Sequence, residues 1–321
     1  MNPERTTALA LRISVTDRCQ LRCNYCMPPE GVACGPRETI LTYEEIAALT
    51  ATLQAAYGLA KIRLTGGEPL LRPDVDRLVG MLTTLGVDDI AITTNGLQLA
   101  ALAPALKAAG LRRVNVSLDA LAPDRFRHLT GGGDVAAVLA GIAAAQAAGL
   151  TPVKLNTVVI RDVNDAEAGD LLAYALAHAC ELRFIELMPI GPGRDRFPDG
   201  FIAAHEIRER LQATGFTLRP LGRSPDSSAD RYAVTDAHGR EGTVGFIASC
   251  SAPFCAGCRR LRITADGRLI GCLAREGGIS VREHLRNDDT AGLLGAVQTA
   301  MGGKRSDTRF EQDRSMSAIG G

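Results

Sequence analysis

Nine cysteines occur in the 321 residues, and they are unevenly placed. Cys19, Cys23, Cys26 and Cys34 fall near the start, Cys250, Cys255, Cys258 and Cys272 fall late, and Cys180 stands alone. In Cys19-Gln20-Leu21-Arg22-Cys23-Asn24-Tyr25-Cys26 three thiols share one loop at C-x3-C-x2-C spacing, close enough for their thiolates to hold one metal centre. Thiolates suit zinc and iron–sulfur clusters alike, so spacing leaves open both a closed zinc site completed by Cys34 and a cluster with three protein ligands. The later block, Cys255, Cys258 and Cys272, has the C-x2-C-x13-C spacing of a metal knuckle. Asp266-Gly267 supplies a hairpin turn between its ligands, and Cys250 would complete a zinc ribbon.

Cations accompany both blocks. Arg260 and Arg262 alternate on a predicted strand, so both guanidiniums share one face beside the late cysteines. Such a fork suits phosphate or carboxylate, although a solvated charged face gives the same pattern. Arg12, Arg63 and Lys154 fall inside short predicted strands. Parallel strands are commonly buried on both faces, so cations pointing inward need an anionic partner. A nucleoside triphosphate fits that need, and with no Walker-type loop in the sequence its recognition would rest on side chains.

The elements that must position these groups follow a βα rhythm from residue 11 to about 215. Strands are expected at Leu11–Val15, Lys61–Leu64, Ile90–Thr93, Arg113–Ser117, Val153–Ile160 and Leu182–Leu187, with helices near 42–57, 74–85, 98–109, 134–148, 165–179 and 204–214. Six repeats fall short of a closed eight-stranded barrel. The expected fold is therefore α/β, an incomplete (β/α)6 TIM-like barrel whose open side is covered by the remaining chain. Residues 1–215 read as the barrel domain and 216–321 as a small, irregular extension carrying the second cysteine block. Two stretches rich in Gly, Pro, Ser and charge, Gly191–Arg196 and Gly222–Ser228, read as mobile loops, either lids or linkers.

Composition narrows the function classes. Lys plus Arg and Asp plus Glu are both 36, so no global field attracts nucleic acid or an anionic membrane, and any anion site is local. The longest uncharged run, Val135–Val153, is mostly Ala and Gly with Gln146 inside and reads as a buried helix. Met1-Asn2-Pro3-Glu4-Arg5 has no apolar signal core, so the chain is expected to stay in the cytoplasm, where thiols stay reduced and disulfides are a poor use of cysteine.

The first cysteine loop, with aromatic Tyr25 before its last ligand, resembles the signature of radical S-adenosylmethionine enzymes. The resemblance implies a [4Fe-4S] cluster held by Cys19, Cys23 and Cys26, whose remaining iron chelates the methionine moiety of the cofactor, with Cys34 a bystander. Thr65-Gly66-Gly67-Glu68-Pro69 resembles that family's GGEP element. Within the superfamily nearly the whole chain is similar to the GTP 3′,8-cyclases, through Arg12–Cys19, Cys26-Met27-Pro28, Leu64–Pro69, Thr93-Thr94-Asn95-Gly96, Val114–Asp119 and the late cysteine block. That similarity implies a second [4Fe-4S] cluster on Cys255, Cys258 and Cys272, leaving Cys250 spare. It implies cofactor contacts from Tyr25, Gly67, Ser117 and Met188, and GTP contacts from Arg12, Arg63, Thr94, Lys154, Arg260, Leu261 and Arg262. Arg260 and Arg262 carry the catalytic expectation, as electrostatic support or the last donor during cyclisation. The implied reaction converts GTP to (8S)-3′,8-cyclo-7,8-dihydroguanosine 5′-triphosphate, the first step toward molybdopterin, fed by an electron donor and followed by cyclic pyranopterin monophosphate synthase. The state is expected to be monomer or homodimer. Ser317-Ala318-Ile319-Gly320-Gly321 matches a terminal Gly-Gly that this family uses near its active site. Two departures are Arg259, where the family usually has Asn, and Ala252, where a polar amide is common. Cys180 reads as a buried small hydrophobe.

The rival readings are a radical enzyme acting on peptide side chains and a non-catalytic zinc protein or electron carrier with two closed four-cysteine sites.

Overall fold

The computed structural model describes residues 8–224, 227–255, 257–304 and 309–320. Met1–Arg5, Pro225-Asp226 of the second loop and Gly321 of the terminal pair lie outside the described residues. Strands β1 (Leu9–Ser14), β2 (Leu59–Thr65), β3 (Ile90–Thr94), β4 (Arg113–Ser117), β5 (Lys154–Val159) and β6 (Glu181–Glu186) run parallel in chain order. Between and after them lie α1 (Tyr43–Tyr57), α2 (Val75–Thr83), α3 (Leu99–Ala108), α4 (Pro123–Thr130), α5 (Val135–Ala147), α6 (Ala168–Ala177), α7 (Gly193–Gly200) and α8 (Ala204–Ala213). Alternation along each strand sorts the side chains. Leu11, Ile13, Ile62, Leu64, Val114 and Leu155 are sealed against the helices, each burial contributing roughly 1.5–3 kcal/mol. Their neighbours Arg12, Arg63, Asn115 and Lys154 point into the barrel and line a cavity. The strand cations therefore face inward, as expected.

Helix α5 sits where it does because Gly141 lets it. A Cβ there would lie 2.6 Å from the Gly96 carbonyl, so any larger residue lifts the helix off the turn that carries Thr94 and Asn95. No single helix among the described residues is long and apolar enough to cross a membrane. Among the described residues only the pair α4 and α5 passes that test together, bent by 95°, and Val138, Ile142 and Ala145 of α5 are buried in the core.

The extension is more regular than expected. Strands β7 (Thr217–Gly222), β8 (Asp230–Thr235), β9 (Glu241–Ile247), β10 (Arg260–Ile263), β11 (Arg268–Ile270) and β12 (Ile279–Ser280) all join the barrel sheet, in the order β12-β11-β10-β1-β2-β3-β4-β5-β6-β9-β8-β7. Strand β9 adds in parallel to β6 and β10 in parallel to β1, so the extension prolongs both open edges as well as covering the mouth. Two helices, α9 (Arg282–Arg286) and α10 (Thr290–Gly302), complete it. Polar, turn-rich composition hid this because strands at a sheet's margin need only one buried face. The Gly191–Arg196 stretch is not a free loop either. It leads into α7, where Gly193 packs so closely that a Cβ would meet the Met188 carbonyl at 2.5 Å, and Arg196 Nε donates to the Asn24 carbonyl at 3.1 Å.

Candidate active site

The loop after β1 carries the first triad. It is stitched to the loop after β2: Gly67 N–H donates to the Thr16 carbonyl at 2.8 Å and Glu68 N–H to that of Arg18 at 2.7 Å. A Cβ on Gly67 would fall 2.3 Å from the Arg18 carbonyl. Glycine is thus required here by the cysteine loop itself, a reason the sequence reading, which looked to the cofactor, did not supply. On the other side Arg22 and Asn24 N–H groups donate to the Thr130 and Leu129 carbonyls of α4. Cys19, Cys23 and Cys26 consequently line one end of a cavity of about 1030 Å³ that runs through the barrel.

Electrostatics at this end are unfavourable to free thiolates. Burial, then Cys26, Asp119 and Cys19, push the Cys23 thiol well up, and burial with Cys19 pushes Cys26 to about 12. Two further carboxyls, neither singled out from sequence, belong here. Glu68 accepts from Thr94 Oγ1 at 2.7 Å, Asn95 N–H at 2.7 Å and Leu70 N–H at 2.9 Å, and its burial raises it to about 7. Asp119 accepts from Tyr25 Oη at 2.6 Å and from Val158 N–H at 2.9 Å, and burial raises it to about 6. Both stood inside quoted stretches, Leu64–Pro69 and Val114–Asp119, where burial was the missing signal.

The second triad lines the same cavity from the extension. The β10–β11 hairpin turns at Asp266-Gly267 as expected, with Gly267 at φ 81°. Glu186, at the end of β6, accepts from Cys250 and Ser251 N–H at 2.8 and 3.0 Å and so fixes the segment leading to Cys255. Burial would raise the Cys258 thiol, yet Arg260 and Lys304 bring it down to about 7. Arg260 Nε lies 3.5 Å from Cys258 Sγ, and its guanidinium stacks 4.6 Å over the Phe254 ring.

Register sets the cations in rows. Arg262, Arg12 and Arg63 pair across β10, β1 and β2, and Ala91 continues the row to Arg113 on β4. Burial, with Arg260 and Arg63 nearby, lowers Arg12 to about 10, and burial with Arg12 and Arg260 holds Arg262 well below its ordinary value. Two of the expected anion contacts already hold protein carboxylates: Arg63 meets Asp89 at 3.0 Å and Lys154 meets Glu181 at 2.9 Å. Arg113 and Arg183 share those same carboxylates at 2.8 Å each. The sequence reading missed all four partners because each pairing joins a strand to a residue on, or just before, a different strand, or residues two apart on one face.

The remaining expected residues divide cleanly. Thr94, Ser117, Met188, Arg260 and Arg262 line the cavity, as do Tyr25 and Gly67. Leu261 does not, its side chain being fully buried in the core between the two arginines. The tail reaches the site: Met316 N–H donates to the Cys26 carbonyl at 3.1 Å, and Arg262 Nη1 donates to the Gly320 carbonyl at 2.9 Å. Cys34 is exposed, Cys250 turns its thiol to the Leu187 carbonyl, and neither lines the cavity, while Cys180 is buried. No group of three or more His, Cys, Asp or Glu among the described residues is placed to hold a single metal ion. The donor set, three unbridged cysteines at each end, fits a cluster whose ligands spread over several irons, and the unpartnered Asn95 Nδ2, Asn115 Oδ1 and Asn156 Oδ1 offer polar contacts to a ligand between them.

Residues 13–175 match the radical SAM superfamily and residues 180–310 the Molybdenum Cofactor Synthesis C family. The chain is 45% identical to the GTP 3′,8-cyclase of Moorella thermoacetica, covering 97% of each chain, and 44% identical to that of Streptomyces coelicolor, covering 98% of this chain and 94% of the other. Among solved structures it resembles Streptococcus suis SuiB bound to its precursor peptide SuiA, at a TM-score of 0.66 and 14% identity over 94% of this chain and 67% of that one, a likeness of fold alone. Motifs, fold and relatives agree, and the chain belongs to the GTP 3′,8-cyclase family of the radical SAM superfamily.

Proposed function

We propose that this chain cyclises GTP to (8S)-3′,8-cyclo-7,8-dihydroguanosine 5′-triphosphate, the first step of molybdenum cofactor biosynthesis. The observation that carries this reading is a single barrel cavity with a cysteine triad at each end and arginines between them. Cys19, Cys23 and Cys26 hold the [4Fe-4S] cluster that serves S-adenosylmethionine, and Cys255, Cys258 and Cys272 hold a second. Bound there, the cofactor supplies the radical that takes hydrogen from C3′ of GTP.

The protein's part is positional. Tyr25, Gly67, Ser117 and Met188 shape the cofactor end, where Glu68 and Asp119 favour a sulfonium and an ammonium over an anion. Arg12, Arg260 and Arg262 take the polyanionic substrate, joined by Arg63 and Lys154 once their carboxylate partners yield, with Thr94 at the boundary. Leu261 contributes through its backbone. Residues 1–215 form the barrel that carries the first cluster and 216–321 the extension that carries the second cluster and the Gly-Gly tail, and the substrate cations come from both. An external donor supplies electrons, and cyclic pyranopterin monophosphate synthase takes the product. The state is a monomer or homodimer, in the cytoplasm.

Anaerobic reconstitution, metal analysis and mass spectrometry of a reaction containing dithionite, S-adenosylmethionine and GTP test this. About eight irons, 5′-deoxyadenosine and a cyclised GTP isomer are expected. Zinc with neither product would overturn the reading, and 5′-deoxyadenosine with GTP unchanged would move the substrate elsewhere.

A further inference from the structure

Lys304 was not among the residues expected to do chemistry, yet it lies in the cavity wall beside the second triad. Its Nζ donates to the Arg260 carbonyl at 2.5 Å and the Gly271 carbonyl at 2.7 Å, and it reaches Cys258 Sγ at 3.7 Å. The two carbonyls belong to β10 and to the end of β11, so one ammonium ties together the strands that carry Cys258 and Cys272. Gly271, the residue before Cys272, is pressed so hard against α10 that a Cβ would fall 1.9 Å from the Ala300 carbonyl. The end of α10 and the lysine two residues beyond it thus bear on the same pair of cysteines from two directions. All three ammonium protons are committed, two to carbonyls and one toward sulfur, which holds the charge in place.

We propose that Lys304 is a positioning residue for the second cluster, setting the Cys258–Cys272 span and fixing a positive charge against a ligand sulfur. This rests on the reading that Cys255, Cys258 and Cys272 hold a cluster. Cluster potentials follow net charge and hydrogen bonds to the sulfurs. A fixed cation stabilises the reduced, more negative cluster, so losing it lowers the reduction potential. Partners that orient metal ligands also set retention, and their removal typically costs about 10–100-fold in metal affinity.

The test uses the full chain with Cys19, Cys23 and Cys26 replaced by Ala, so that any remaining cluster is the second. Lys304→Met, Lys304→Arg and Leu293→Ala are each added to that background, Leu293 being a buried apolar residue of α10 that is not among the polar contacts of Lys304. Iron content, the rate of iron loss to a chelator, the midpoint potential and the electron paramagnetic resonance spectrum are measured. Lys304→Met is expected to lose iron about 10–100-fold faster and to show a lower potential with an altered spectrum. Lys304→Arg should restore the potential in part. Leu293→Ala should lower the unfolding temperature without moving the potential, which separates electrostatic positioning from general loosening of the extension. An unchanged potential and chelation rate in a folded Lys304→Met protein would overturn the role of Lys304 alone. Absence of iron from the parent background would overturn both that role and the second cluster.

Discussion

At the first triad each thiol stands among groups that resist its ionisation: Asp119 is near Cys23 and Cys26, Glu68 is near Cys19, and the thiols oppose one another. At the second, Arg260 and Lys304 touch Cys258, and Arg262 lies within electrostatic reach of both Cys258 and Cys272. The same three-cysteine device has been set in an acidic pocket at one end of a barrel and a basic pocket at the other. On the function proposed above, two ligands of opposite character would be sorted within one cavity, the sulfonium toward Glu68 and Asp119, the triphosphate toward the arginine row. Burial sharpens the sorting, because charges count for more where water is excluded.

The comparison breaks most sharply at the cysteines. Replacing any of Cys19, Cys23 or Cys26 by Ala should abolish 5′-deoxyadenosine formation, whereas Cys258→Ala or Cys272→Ala should retain it and abolish cyclisation, both read by mass spectrometry. Loss of both products in the second pair would mean that the two ends do not act separately. Next in size is Arg262, which holds the Gly320 carbonyl and stands in the cation row. Truncating a buried, hydrogen-bonded charge costs about 2–5 kcal/mol, so Arg262→Ala should slow cyclisation by roughly 30-fold or more with cofactor cleavage retained. Arg262→Lys should not restore the rate, since lysine lacks the planar fork. A full rescue by lysine would reduce the site to simple charge.

How much of this was legible in the sequence depends on whether a residue's role is set by its own strand or by a neighbouring one. The six barrel strands, the inward cations Arg12, Arg63 and Lys154 and the hairpin turn at Asp266-Gly267 all follow from local alternation and turn chemistry. Asp89 and Glu181 did not, because the ion pairs that occupy Arg63 and Lys154 depend on which strands become neighbours. Alternation along β4 and β6 would have put Arg113 and Arg183 on the inner face beside them. Glu68 and Asp119 lay within recognised motifs, but only the packed structure reveals that both are sealed from water. Strand β7 carries Pro220 and is mostly exposed, so it has no apolar period to read.

Glu68 also gives the comparison a pH dependence. Its folded value of about 7 stands above the ordinary value near 4.3, so between those limits the folded apo-protein binds a proton that the unfolded chain has released. The associated stability is complete below about pH 4.3 and is lost as pH rises through about 7, a change on the order of 4 kcal/mol. Denaturant unfolding of the apo-protein at pH 5 and pH 8 should therefore show a smaller difference in Glu68→Gln than in the parent. Equal differences would mean that Glu68 is ionised at both values and that the first pocket carries its negative charge permanently.

The smallest effect is expected at the departure from the family beside the second triad. Arg259 is exposed, its carbonyl accepts from Ala10 N–H at 3.0 Å, and it does not line the cavity. The backbone bond that joins the second triad's strand to β1 is indifferent to the side chain. Arg259→Asn should then change stability by no more than about 0.5 kcal/mol, and leave the cyclisation rate within about twofold. A tenfold change in the KM for GTP would show that the basic character of this end extends past the cavity wall to the surface, and that the substrate feels Arg259 before it enters.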